Sequence, residues 1–177
     1  MDGKIGLVRI AFAVALCAFG AQDALAQSAA SCSLQPVNAT TRLTLHCGRG
    51  ISITAESGAR FQFLDRNGDG QIDAASLDGK AIVLDVDSAR VKGGFQVVTP
   101  QAIAAVRGTR WAVDVQSDKT AVLVLRGRVS VRRSDQRNGV VLGVGQGVDV
   151  QSGTSTPLTV KRWPTARVNA LMARLGQ

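Results

Sequence analysis

Past residue 47 the hydrophobic positions recur with a period of two, in short runs separated by glycine or Asp/Asn turns. Side chains two apart share one face of a strand, so this pattern predicts half-buried β-structure. Ile51-Ser52-Ile53-Thr54 and Phe61-Gln62-Phe63 alternate, while Ala81 to Val86 is a continuous apolar run that predicts a more deeply buried strand. Phe95 to Val98 stops at Thr99-Pro100, where proline removes a backbone donor. Ile103 to Val106 ends at Arg107-Gly108, and Trp111, Val113 and Val115 then fall on one face with Asp114 opposite. Thr120 to Leu125 meets the turn Arg126-Gly127. Beyond it Val129 and Val131 share a core face, and Arg128, Ser130 and Arg132 point outward. Val140 to Val144, Gly147 to Val150 and Leu158 to Val160 complete the strand set.

The period changes once. Val168, Leu171, Met172 and Leu175 follow one helical face after Pro164-Thr165, with Gly176 placed to close the helix and Arg167 and Arg174 on the other face. About ten residues make too short a helix to stand alone, so it should lie on an open side or end of the β-structure with Trp163 as anchor. The expected fold is all-β: a short-stranded β-roll or β-solenoid-like domain, or a sandwich, with one C-terminal α-helix.

The N-terminus reads differently. Lys4 and Arg9 precede an apolar stretch from Ile10 to Gly20, and Ala24-Leu25-Ala26 offers small residues for cleavage. Residues 1–26 are therefore expected to be a secretory signal peptide, shorter than the roughly 20 apolar residues of a permanent span. Leu16 before Cys17 does not suit lipoprotein processing, so Cys17 should leave with the signal. The expected location is the periplasm, or the exterior if secreted, with no permanent membrane span. The mature part divides into an N-terminal β-region (27–94), a β-core (95–160) and the helix (161–177), together forming one domain. Its two cysteines, Cys32 and Cys47, suit a single disulfide in an oxidising compartment.

Charge is uneven. Seven basic side chains balance seven acidic ones from Gln27 to Gly94, but twelve face four from Phe95 to Gln177, which holds the whole surplus of eight. Export and the lack of aromatic residues among the arginines argue against nucleic acid. A protein partner in the envelope or an anionic polymer remains. Arg126, Arg128, Arg132 and Arg133 are the expected interaction residues, with Trp163 next.

Asp65-Arg66-Asn67-Gly68-Asp69-Gly70-Gln71-Ile72-Asp73 places oxygen ligands at alternate positions, as a calcium loop does. Asp65, Asn67, Asp69, Gln71 and Asp73 are the expected ligands of a structural Ca2+. Position twelve is Ser76 where an EF-hand carries glutamate, so Asp78 is the expected closing ligand, and the phenylalanine-bearing flank predicts strands around the loop rather than helices. The same residues also build a metal-free turn.

Catalytic equipment is missing. His46 is the sole histidine, Glu56 the sole glutamate, and no nucleophile–base pair, P-loop or dinucleotide fingerprint is present. We expect no enzyme.

Val98-Thr99-Pro100-Gln101 through Val106-Arg107-Gly108-Thr109-Arg110-Trp111-Ala112-Val113, then Arg126-Gly127-Arg128-Val129-Ser130-Val131 and Gly145-Gln146-Gly147, resembles the FecR-type domain family. The resemblance is strong from about Phe95 to Val150 and weak before it. It implies a periplasmic β-rich module, whose best-known members carry signals from an outer-membrane transporter towards a cytoplasmic sigma factor. Those regulators place a cytoplasmic segment and a transmembrane helix before the domain. With a signal peptide there instead, the expectation is a stand-alone binding or signalling-accessory module acting through protein contacts, without direct sigma-factor contact. The other expectation is a structural envelope protein that holds an anionic polymer through its basic half. Gly108, Thr109, Gly127 and Trp111 are expected to be structural.

Overall fold

The computed structural model describes residues 32–36, 43–48 and 50–177. The expected signal peptide and Cys17 lie outside these residues. Two sheets share one long strand. The strands are β1 (Cys32–Pro36), β2 (Leu43–Cys47), β3 (Ile51–Ala55), β4 (Arg60–Leu64), β5 (Ala74–Val86), β6 (Phe95–Val98), β7 (Ala102–Val106), β8 (Arg110–Val115), β9 (Lys119–Arg126), β10 (Val129–Arg133), β11 (Gly139–Leu142), β12 (Gln146–Gln151) and β13 (Lys161–Arg162). One helix, α1 (Thr165–Leu175), follows.

β5 organises the whole. Its first half pairs with β4 and, in parallel, with β6. Its second half pairs with β3 and β8. The change of partners falls at Gly79-Lys80, where Lys80 takes a left-handed backbone (φ 69°) that side chains other than glycine rarely adopt. The strand bends there and passes from one sheet to the other. The first sheet runs β1-β2-β3-β5-β8-β9-β12-β13, and the second runs β4-β5-β6-β7-β10-β11. The architecture is a mixed-sheet half-barrel or roll with a C-terminal helix, as the alternating pattern predicts.

Between the sheets lies the main core, built on Ile53, Leu77, Leu84, Phe95, Trp111, Val122, Val131 and Leu142. A second core forms on the outer face of the first sheet. There Ala81, Val83, Ala112, Ala121 and Leu123 receive Leu171 and Leu175 of α1, together with Trp163. This explains why β8 and β9 are buried on both faces. Asp114, on the face opposite Trp111 and Val113 as the alternation predicts, lies beneath the helix and is 6% exposed.

α1 ends as expected: Gly176 is left-handed (φ 71°) and its N–H donates to the Ala173 carbonyl. Leu158 to Val160, expected as a strand, has no regular structure, and pairing resumes only at Lys161. The regions before and after residue 94 share one strand framework. β5, from the N-terminal region, is the central strand on which β6 and β8 of the later region pair.

Cys32 and Cys47 form a disulfide across the β1–β2 pair, with Cα atoms 4.0 Å apart and fifteen residues of separation.

Candidate functional site

The signature residues are structural. Val86 and Thr109 exchange two backbone hydrogen bonds of 3.0 and 3.1 Å, and the Thr109 hydroxyl donates to the Arg128 carbonyl at 3.0 Å. Gly108 (φ 72°) lies so close to Ser88 that a Cβ would stand 2.4 Å from the serine Cβ. Gly127 (φ 84°) packs against Thr109, and a Cβ there would meet its hydroxyl at 2.9 Å. Trp111 is fully buried beside Phe95. The Thr-Pro-Gln run has a similar part, unforeseen in sequence: buried Thr120 donates to Gln101 Oε1 at 2.7 Å, and Ala102 N–H donates to the Thr99 hydroxyl at 2.9 Å. The first contacts fix the β7–β8 and β9–β10 turns that join the two sheets, and the Thr120–Gln101 bond ties the β6–β7 turn to β9.

The expected arginine face is only partly realised. Arg133 is a correction. It belongs to the parity of Val129 and Val131, points inward, and is 5% exposed. Its guanidinium donates to the carbonyls of Gln151 (2.7 Å) and Thr156 (2.9 Å) and to the Thr154 hydroxyl (3.1 Å), holding the loop after β12. Trp163 is likewise inside, anchoring the helix as its structural reading required. Arg167 lies over its ring at 3.5 Å from the centroid, and Gly147 leaves the room its indole needs. Arg126 pairs with Asp85 at 2.7 Å, so its charge is answered.

Arg128 and Arg132 remain. Both stand on the outer face of the second sheet, which no helix covers among the described residues. Arg132 donates to the carbonyls of Arg133 and Gln136, so it is held in place without an ion-pair partner among the described residues. Arg128 with Arg107 beside it, and Arg137 at the other end of β10, are exposed and have no ion-pair partner among the described residues. The register sets Val141, Ser130, Ala105 and Gln96 in one row of this face, and Gly139, Arg132, Ile103 and Val98 in the next. The surface mixes apolar side chains (Val141, Ala105, Ile103, Val98) with Ser130, Gln96 and the Arg132 guanidinium.

The oxygen-rich loop folds as a hydrogen-bonded turn. Asp65 accepts the N–H groups of Gly68 (2.7 Å) and Gly70 (2.8 Å), Asn67 accepts that of Asp69, Asp69 that of Gln71, and Asp73 that of Arg66. Asp78 is not brought to it. It sits up the β4–β5 hairpin near Arg60, roughly 13 Å of strand beyond Ala74. Among the described residues no three His, Cys, Asp or Glu side chains gather as a metal site. A cleft of about 560 Å³ opens beside this loop, lined by Asp69 and Asp73 of the loop and by Arg90 and Lys92 after β5.

Sequence reasoning missed one cluster outright. Arg174 of α1 reaches Asp114 on β8 through two bonds of 2.9 Å and Glu56 through bonds of 2.6 and 3.1 Å. Hydrogen bonds to Asp114, then to Glu56, push the guanidinium pKa further above its already high value. Its partners lie 60 and 118 residues away in sequence, so no local pattern could reveal them.

Fold and site together define a two-sheet β module with a basic, uncovered face. The family model for the FecR protein matches residues 36–130, more than half the chain, and the protein belongs to the FecR family. Members of that family are regulatory modules rather than enzymes. The match reaches further towards the N-terminus than the residues that carried the resemblance, taking in β2 to β5. No curated protein matches the chain. Two crystal structures of a "putative anti-sigma factor" from Parabacteroides distasonis share the fold. One, at 19% identity and a TM-score of 0.59, matches 80% of this chain and 65% of its own. The other, also at 19% identity, has a TM-score of 0.58 and matches 79% and 64%. The chain thus spans just under two thirds of the length of these structures. No helix among the described residues is long and apolar enough to cross a membrane.

Proposed function

We propose that the protein is a periplasmic FecR-like binding or signalling-accessory module that works through protein contacts. The carrying observation is the outer face of the second sheet, where Arg128 and Arg132 have no ion-pair partner among the described residues and stand near the exposed Val141. Charge kept unpaired next to apolar surface suits the recognition of one acidic protein face, because charge steers the encounter and apolar burial holds the complex. The helix supports the same reading, since it covers the first sheet and leaves the second as the face available for contact.

The test is photo-crosslinking from position 130 in intact cells, compared with a charge-reversed Arg128→Glu/Arg132→Glu protein. A discrete crosslinked protein that disappears on reversal supports the reading. A diffuse product, with retention on an immobilised polyanion abolished by the same reversal, would instead support an envelope protein that holds an anionic polymer.

A further inference from the structure

Among the described residues the two sheets have four edge strands, and three carry a guard. β13 is two residues long and both are charged. β4 carries a register break at Arg60-Phe61, with the Arg60 guanidinium turned onto the Asp78 carbonyl. β1 ends in Pro36, which has no backbone N–H to offer an added strand. Charge, short length and bulges are the means by which proteins keep sheet edges from pairing with other chains.

β11 has none of these guards. Its sequence is Gly-Val-Val-Leu, without charge or proline, and its register with β10 is unbroken from Arg132↔Gly139 to Val129↔Leu142. Val141 is 62% exposed, and Val144, just beyond the strand, is 57% exposed; they are the exposed large hydrophobic side chains of the described residues. Outside the sheet ladders, no backbone hydrogen bond among the described residues reaches residues 139–142. The outer row of N–H and C=O groups is therefore open along an apolar strand.

The charges nearby select the occupant. Arg128 and Arg132 flank Ser130, the β10 partner of Val141, and Arg137 stands in the loop before β11, where Asp135 is the acid. A strand added outside β11 would run roughly 10 Å from β10, two strand spacings, a gap that acidic side chains reaching back over β11 and the arginines on β10 span between them. A second copy of this chain would bring its own arginines to the same place and be repelled. An acidic segment would be attracted.

We propose that β11 is a docking edge that takes up an extended, acidic segment of a partner protein as an additional strand of the second sheet. Backbone hydrogen bonds supply the attachment, Val141 and Val144 the apolar contact, and the arginines the choice of partner. The proposal rests on the reading of the chain as a protein-contact module and adds how the contact is made.

The test uses an eight-residue peptide of alternating glutamate and valine, together with the same peptide N-methylated at alternate backbone nitrogens. Binding is followed by fluorescence anisotropy, and hydrogen exchange is measured with and without peptide. The unmodified peptide should bind and slow amide exchange within residues 139–142. N-methylation, which leaves every side chain in place, should weaken binding at least tenfold, and Val141→Ser should weaken it several-fold. If both peptides bind equally and exchange at β11 is unchanged, the edge proposal falls while the basic-face reading stands. If neither binds while the charge-reversed protein still loses its cellular crosslink, the edge proposal falls in the same way. Concentration-dependent dimerisation that is lost in Val141→Ser would overturn it in favour of a second copy as occupant.

Discussion

Arg174→Met removes the one guanidinium that joins α1 to two separate parts of the first sheet. Asp114 and Glu56 have side chains only 8% and 14% exposed, so water cannot replace what the arginine supplies. Breaking a fully buried ion pair by removing one partner costs about 3–5 kcal/mol. Arg174 is itself 40% exposed, which screens the interaction and lowers the expected loss to about 2–3 kcal/mol. Leu171 and Leu175 stay buried, each contributing about 1.5–3 kcal/mol, so the helix should remain docked but less securely.

For a domain of this size that loss lowers the melting temperature by roughly 5–10 °C. Circular dichroism melts and urea titrations followed by tryptophan fluorescence both read it, with Trp163 beneath the helix as local reporter. The decisive comparison is the triple variant Glu56→Gln/Asp114→Asn/Arg174→Met. If the cost arises from stranded carboxylates, neutralising them recovers most of it, and the amide oxygen of the introduced glutamine can still accept the Ala81 N–H that Glu56 accepts now. A single-variant loss below about 1 kcal/mol, the range of an exposed ion pair, would refute the reasoning. So would a triple variant no more stable than the single one.

Three further perturbations probe other parts of the molecule. Reducing the Cys32–Cys47 disulfide, or replacing both cysteines with serine, frees a loop of about 15 residues and should cost about 3 kcal/mol in urea unfolding; an unchanged midpoint would contradict this. Gly108→Ala places a methyl group against Ser88 at a left-handed position and should cost about 2 kcal/mol or more. Adding Ser88→Gly should relieve the clash but leave the backbone strain, so full recovery would show that φ was not limiting. Calcium at about 10 mM, against the roughly millimolar affinity of extracellular sites, should stabilise the protein by about 1.4 kcal/mol if the 65–73 loop binds it. Asp69→Ala should remove that gain, and no shift in the wild-type melt would end the calcium proposal.

Local order was legible in the sequence because its causes are local. The period-two runs located most strands, the helical spacing from Val168 to Leu175 located α1, and Gly108, Gly127 and Gly176 marked backbone positions where φ is positive. The cysteine count pointed to the disulfide that the structure contains. Parity even separated outward Arg128 and Arg132 from inward Val129 and Val131, and applied one residue further it also accounts for the burial of Arg133.

What the tertiary structure alone decided concerns which face meets what. Asp114 sits opposite Trp111 and Val113 in the alternation, and the alternation alone does not say that α1 covers that face. Arg174 reads as the exposed side of a short helix until Glu56 and Asp114 arrive beneath it from distant parts of the chain. Only Ala81 to Val86 reads as a strand in the sequence, and pairing with β4 and β6 is what extends it back to Ala74 and makes β5 serve two sheets. The openness of β11 is likewise a property of strand order: the same four residues placed between two strands would be ordinary core. Hydrophobic period specifies that a face is buried, because burial acts on each side chain where it stands. It carries no information about the partner that covers that face, since the hydrophobic effect is non-directional and the partner is set by chain topology.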